Sequence, residues 1–317
     1  MITLFSAPKP FLDAHIARIQ RNAVESWLAL GNQVEVLLVG DEPGLAEFAD
    51  ELGITLLPVS SRAPSGAPLL DEIFRRAGRA AANPIMGYLN ADIILMDDFL
   101  PCVEQVAASF DEFLVVGNRF DIEIRERLSF QAGWARQFRK RIADQGRLHP
   151  PMGSDYFVFR RGQYEAIPAF ALGRAGWDNW MIYKARHDSV PVIDASDAVT
   201  VVHQNHDYGH LPGGEPHYRH PESTRNIELA GGYEMMFRLR DADWKISPEG
   251  IRKKWAKDWE PIRRIEADLI SYFGPGLTSK TIHMLFHPSN AFSYLRYKLL
   301  GPDGDNASGP SNSGASR

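Results

Sequence analysis

Short apolar runs alternate with amphipathic stretches through the first half of the chain. Ile2–Ser6, Val34–Gly40, Ile54–Val59 and Ile85–Leu95 are mostly apolar. Runs of that kind predict strands buried on both faces of a sheet. Between the first two, Ala14, Ile16, Ala17, Ile19, Ala23, Val24, Trp27 and Leu28 recur at helical spacing, and Gly31 closes the helix. Pro43–Leu52 and Pro68–Ala82 predict the next two helices, with a proline near each start suiting a first-turn position. Alternating strands and helices with short connections predict a parallel, doubly wound arrangement. Ligands of such sheets sit beyond the carboxyl ends of the strands. Ser6-Ala7-Pro8, Asp41 and Asn90-Ala91-Asp92 all fall at such ends.

The pattern changes in the second half. Phe113–Ile122 and Tyr156–Arg160 predict strands, Arg125–Gln145 a basic, aromatic helical insertion, and Gly176–His187 a helix. Val190–His203 predicts one or two strands, residues 204–222 a loop rich in His, Gly, Pro and Tyr, and Trp244–Phe273 one or two helices. Three regions are expected: an α/β domain over 1–210, a helical extension packed on it over 211–300, and a tail over 301–317. The tail is Gly, Ser, Asn and Pro, with too little apolar surface to fold. Ile282–Leu300 mixes apolar and basic residues and predicts a packed helix, with peripheral membrane contact as the alternative.

Composition narrows the function classes. The chain has 317 residues, 44% hydrophobic and 24% charged, as in an ordinary globular protein. A net charge of −5 gives no electrostatic basis for nucleic-acid binding. A lone cysteine, Cys102, forbids an internal disulfide and is expected to be simply buried. No signal peptide is read at the N-terminus and no run reaches membrane-span length, so a cytoplasmic location is expected.

The chemistry concentrates at Met86–Leu100, MGYLNADIILMDDFL. A carboxylate inside an apolar stretch is costly unless a cation or metal partners it. At period two, Asn90 and Asp92 share a face and offer two oxygen-bearing side chains to a divalent cation carrying phosphates. Asn90 is also placed to contact ribose or to stabilise a turn. Asp98 suits a helix N-cap. Five of the ten histidines lie between 203 and 220: His203, His206, His210, His217 and His220. His203 ends a strand and is the preferred further metal ligand, with His206 next. The other three are expected to order the loop or meet substrate. Arg62 is open to two roles, neutralising a diphosphate or lying solvated at the surface. Asp178, between Trp177 and Trp180, is either a helix-start acid beside packing tryptophans or a general base beside a sugar-binding face. Asp155 is a second candidate, for acceptor binding or sugar contacts.

The order of these features resembles glycosyltransferases of the A-type fold, the nucleotide-diphospho-sugar transferase-like group. Asn90-Ala91-Asp92 is similar to their Asp-X-Asp signature with the first acid replaced, Gly176-Trp177-Asp178-Asn179-Trp180 to an acceptor-side motif, and His203 to the distal histidine that completes metal binding. The resemblance covers about residues 1–210. It implies a Rossmann-like α/β fold whose mixed central sheet is flanked by helices. It also implies a nucleotide-diphosphate sugar donor, a carbohydrate or other hydroxyl acceptor, and Mn2+ or Mg2+. On this reading Ser6, Ala7, Pro8, Asp41, Arg62, Asn90 and Asp92 surround the donor, and Asp41 holds base or ribose unless it merely forms a turn. Asp92, His203, Asn90 and His206 hold metal. Two alternatives stand beside it. One is a sugar-phosphate nucleotidyltransferase, for which Ser6-Ala7-Pro8-Lys9-Pro10 lacks the glycine-rich first loop; the other is a non-catalytic carbohydrate-binding protein.

Overall fold

Strands with apolar residues on both faces need cover on both sides, and the chain supplies it. The computed structural model describes residues 1–152, 154–206, 220–255 and 261–288. β1 (Ile2–Ser6), β2 (Val34–Val39), β3 (Thr55–Leu57) and β4 (Ile85–Leu89) form the parallel block in the order β3-β2-β1-β4. Beyond β4 lies β9 (Tyr156–Arg160), antiparallel to both neighbours. β6 (Leu114–Val116) and β10 (Val192–Asp194) follow, and then β12 (Trp244–Ser247) and β13 (Gly250–Lys253), giving nine strands. The inverted β9 makes the sheet mixed rather than wholly parallel.

Alternation along the strands divides the core. Phe5, Met86, Tyr88, Phe157 and Phe159 point to one face, under α3 (Leu70–Ala80) and α6 (Trp177–His187). Leu4, Ile85, Leu89, Tyr156 and Val158 point to the other, under α1 (Ala14–Leu28), α2 (Leu45–Leu52) and α4 (Phe99–Ser109). Asp13 starts α1, its carboxylate accepting the His15 and Ile16 N–H groups at 2.8 Å each. Cys102 lies on the buried face of α4, and burial together with the charge of Asp98 pushes its thiol up to about 12.

Three expected elements are corrected. Ile85–Leu95 is not one strand. The chain turns at Asn90-Ala91-Asp92, where the Ile93 N–H returns to the Asn90 carbonyl at 3.1 Å. β5 (Ile93–Leu95) then enters a second, four-stranded sheet ordered β5-β11-β7-β8, with β11 (Val201–Gln204), β7 (Phe120–Ile122) and β8 (Arg147–Leu148). Phe113–Ile122 splits the same way, β6 into the large sheet and β7 into the small one. α5 (Trp134–Gln145) covers the small sheet with Ala135, Phe138 and Ile142. Trp244–Phe273 is not wholly helical: β12 and β13 form a hairpin on the sheet edge, turned at Gly250, before α8 (Pro261–Phe273). The C-terminal part of the chain therefore contributes strands to the central sheet. Pro43 and Pro68 lie two residues ahead of their helices, and Asp98 precedes α4 without capping it. Its carboxylate accepts the Thr200 N–H at 3.1 Å and pairs with Arg139 at 2.9 Å.

α7 (Pro221–Ala230) and α9 (Leu277–Phe286) complete the described α-helices. His220 caps α7, its ring nitrogen accepting the Glu222 N–H at 3.2 Å. The expectations for His210, His217, 289–300 and the tail lie outside the described residues. Among those residues no helix is long and apolar enough to cross a membrane.

α1 packs on the central sheet through apolar residues and holds the small sheet through buried polar groups. Trp27 donates its Nε1–H to the Ile93 carbonyl at 2.8 Å, and Ser26 accepts the Leu95 N–H at 3.1 Å. Asn22 donates to Gln204 Oε1 at 3.0 Å. Trp27→Phe keeps an aromatic ring but strands a buried carbonyl. It should lower the unfolding free energy by about 1–3 kcal/mol in urea denaturation. An unchanged midpoint would show that this bond does not hold β5.

Candidate metal and nucleotide-sugar site

Strand register brings Asp92 to its histidines. β11 runs antiparallel to β5 with His203 opposite Ile93, and parallel to β7 with His203 opposite Asp121. Gln204 fixes the turn by donating its backbone and side-chain N–H groups to the Asp92 carbonyl, at 3.2 and 3.1 Å. Asp92 Oδ2 then lies 3.1 Å from His206 Nε2 and 3.8 Å from His203 Nε2. Ligand atoms of the three residues lie within 4.8 Å of one another. Two donors bound to one ion at about 2.1 Å each stand roughly 3–3.5 Å apart, so the spacing fits a divalent cation. Asp92 Oδ1 is buried and has no hydrogen-bond partner among the described residues. An orphaned carboxylate oxygen beside two imidazoles is a donor set suited to such an ion. Burial works to raise the Asp92 carboxyl, but His203, His206 and Lys9 outweigh it and hold it well below the usual range.

A chain of polar contacts stands behind these ligands. His203 Nδ1 faces Asp121 Oδ1 at 3.3 Å, close enough for charge but off hydrogen-bond alignment. Asp121 accepts from Arg119 Nε at 3.0 Å and meets His149 Nδ1 at 2.7 Å. Burial opposes its ionisation, yet His203, His149 and Arg119 keep the Asp121 carboxyl well below the usual range. Arg119 also binds Asp155 Oδ2, and Asp155 Oδ1 accepts the Asn90 side-chain amide at 2.7 Å. Asn90, Asp155, Arg119, Asp121 and His203 are thus linked in series. Carboxylates behind metal-binding histidines fix ring orientation and raise basicity.

The cluster opens on a cavity of about 960 Å3. That volume suits a nucleoside diphosphate with a sugar attached. Ala7, Pro8 and Lys9 line it after β1, Asn90 and Asp92 after β4, and Asp178 at the start of α6. Lys9 Nζ is 3.4 Å from His206 Nε2. Gly176, at φ +106°, provides the left-handed turn that starts α6. Asp178 is half-buried there. Burial pushes its carboxyl above the usual range, against the backbone N–H groups of Asn179, Asp178, Gly176 and Ser154.

Other candidates take other roles. Ser6 is buried and donates its hydroxyl to the Leu89 carbonyl at 2.6 Å, pinning β1 to β4. Asp41 and Arg62 pair with each other outside the cavity lining, and Arg62 also holds Glu42 at 2.9 Å and the Gly66 carbonyl at 2.7 Å. Two carboxylates already answer that guanidinium. Asp155 has both carboxylate oxygens engaged, so it positions rather than accepts a proton. Trp180 packs on Phe170 in the core, and Trp177 packs on Tyr88 while also lining the cavity. Sequence reasoning missed Arg119, Asp121, His149 and Arg174. Arg174 is buried on the cavity wall, donating to Glu222 at 3.1 Å and Ser65 at 3.2 Å.

No protein-family model matches this sequence, and no curated protein matches it. Solved structures do. The crystal structure of S. aureus TarS 1–349 in complex with UDP-GlcNAc aligns over 94% of this chain and 78% of that chain, at 12% identity and a TM-score of 0.52. The chain has the A-type glycosyltransferase fold. Against the longer S. aureus TarS structure it spans 37% of that chain, over 65% of its own length, at 14% identity and a TM-score of 0.42. Glucosyl-3-phosphoglycerate synthase from Mycobacterium tuberculosis, in complex with Mn2+, UDP and phosphoglyceric acid, matches over 73% of this chain and 79% of that one. Its identity is 15% and its TM-score 0.44. These likenesses concern the path of the chain; the roles of the site residues rest on their own geometry.

The Asn90–Asp155 bond changes what a first acid would do here. Asn90→Asp sets two carboxylates against each other where an amide now donates. The pair should raise one folded-state carboxyl above its unfolded value. Its stability contribution is then present in acid and lost as pH rises, so the variant should be weaker than the parent by about 1–3 kcal/mol near neutrality. The deficit should shrink below the carboxylate range. Urea denaturation across pH measures this, and a deficit that grows in acid would contradict it.

Proposed function

We propose that this chain is a glycosyltransferase that moves a sugar from a nucleotide-diphosphate donor to an acceptor hydroxyl, with Mn2+ or Mg2+ held by Asp92, His203 and His206. The observation that carries this reading is the convergence of those three side chains, with an unpartnered buried carboxylate oxygen, on a cavity of donor size. The shared fold with a chain crystallised with UDP-GlcNAc supports it. Asp92, His203 and His206 would hold the ion where its charge would neutralise the diphosphate and stabilise it as leaving group.

The protein's own residues do the rest. Lys9 adds positive charge beside His206, on the side where phosphates would lie. The series from Asn90 to Asp121 holds His203 in place, so its ring need not reorganise when the donor arrives. Asp178 takes the proton from the attacking hydroxyl. A carboxylate pushed up by burial is a stronger base than one in water, which suits that role. Arg174 with Glu222 and Ser65 ties the segment before α6 to the neighbouring loop, so the base and the cavity wall move together.

Asp178 and His203 should therefore fail differently. Calorimetry with UDP-GlcNAc and other nucleotide sugars, with and without Mn2+, identifies the donor and reads its affinity. His203→Ala should weaken metal and donor binding together. Asp178→Asn should leave donor affinity nearly intact and slow turnover by about 10²–10⁴-fold. In the parent, turnover should fall with acid at an apparent pKa above the ordinary aspartate value, and that limb should vanish in Asp178→Asn. If Asp178→Asn abolished donor binding while His203→Ala spared it, the two roles would be reversed.

A further inference from the structure

A second set of metal-ligand side chains converges on α8 and α9, outside the cavity lining. Glu266 on α8 is 1% exposed. His283 Nδ1 lies 2.8 Å from its Oε1, and His287 Nε2 lies 3.1 Å from both oxygens. The two rings are 4.4 Å apart, and ligand atoms of the three residues lie within 4.8 Å of one another.

Charge balance distinguishes this group from an ordinary ion pair. Arg263 touches Glu266 Oε2 at 2.8 Å, but both Asp241 oxygens already hold that guanidinium, at 2.8 and 2.9 Å. Asp241 is fully buried. One cation thus stands between two buried carboxylates, and among the described residues the other polar contacts of the Glu266 carboxylate are imidazole nitrogens. A buried carboxylate without its own cation is unfavourable. α9 makes the same demand from the packing side. Only Ser279 of its ten residues is buried, while Leu277 and Leu285 are largely exposed. Apolar burial alone is a poor anchor for such a helix.

We propose that Glu266, His283 and His287 form a structural site for a zinc-class divalent cation that fastens α9 to α8. Two imidazoles and one carboxylate are a known three-residue zinc set that leaves the fourth position to water, a more open shell than the four-ligand sets of most structural sites. Arg263 orients the carboxylate through Oε2 and leaves Oε1 between the histidines.

Zinc binding to the full chain carrying Asp92→Ala and His203→Ala tests this without the first cluster. Calorimetry should find a single zinc ion per chain. Zinc a hundredfold above its Kd should raise the melting temperature by about 5 °C. Adding His283→Ala and His287→Ala should abolish both effects. Zinc-edge X-ray absorption on the protein with both histidines present should show imidazole nitrogen around the metal. The proposal is overturned by absence of zinc binding in the Asp92→Ala/His203→Ala protein, by binding unchanged after loss of both histidines, or by a metal shell without imidazole. Nucleotide-sugar binding is not read in any arm, so failure of the glycosyltransferase reading leaves this result interpretable.

Discussion

The half-buried carboxylate of Asp92, with its Oδ1 shut off from solvent, is the constraint on which the site depends. A charge placed at the end of a strand with apolar residues before and after it is unstable unless something cationic is brought to it. No residue on β4 or β5 can do that, because their neighbours are apolar. The solution comes from far along the chain. β11 pairs with β5 so that His203 and His206 reach Asp92, and that pairing requires the chain to leave the central sheet at Asn90-Ala91-Asp92. The second sheet, its small core under α5 and the polar face of α1 together hold one acid and two histidines at fixed separation.

Fixing the ligands needs a further layer, and here the structure uses charge in alternation. Asn90 donates to Asp155, Asp155 accepts from Arg119, Arg119 donates to Asp121, and Asp121 faces His203. From Asn90 to Asp121 each member satisfies its neighbours, as buried networks must if they are to rigidify rather than destabilise, and Asp121 meets His203 Nδ1 by charge. The chain also runs from the large sheet, through β9, to the small one. Relative motion of the sheets would break it. Asp178 belongs to a different support, α6, held by a glycine turn and by the contacts of Arg174. On the proposed reading, donor and base are thus carried by separate elements meeting at one cavity.

The sequence disclosed the parts whose signal is local. Apolar runs located β1, β2, β4 and β9, and helical spacing located α1 and α6. Asp92 stood out because a lone acid in an apolar stretch is rare, and His203 because it ends a strand. The break at Asn90 was hidden, since a turn flanked by two buried strands reads as one long strand. Asp121, Arg119 and His149 were hidden for another reason. They are ordinary charged residues in their own segments and gain meaning only from a strand register that sequence spacing does not encode. The tryptophans beside Asp178 divide: Trp180 packs into the core on Phe170, while Trp177, buried against Tyr88, also reaches the cavity wall. β12 and β13 were lost because their alternation is brief and the helix that follows dominates the pattern. Arg62 was judged by residue type alone, and Asp41 and Glu42 had already claimed it.

The claim that Asp92, His203 and His206 hold a catalytic divalent cation is tested most directly by anomalous diffraction. Crystals grown with Mn2+ and the nucleoside diphosphate would be measured near the manganese edge. The metal-site reading requires a peak within bonding distance of Asp92 and of at least one of the two histidines, with diphosphate oxygens completing the shell. A well-ordered nucleotide in the cavity with no manganese at Asp92, or with manganese bound only by other residues, would contradict it.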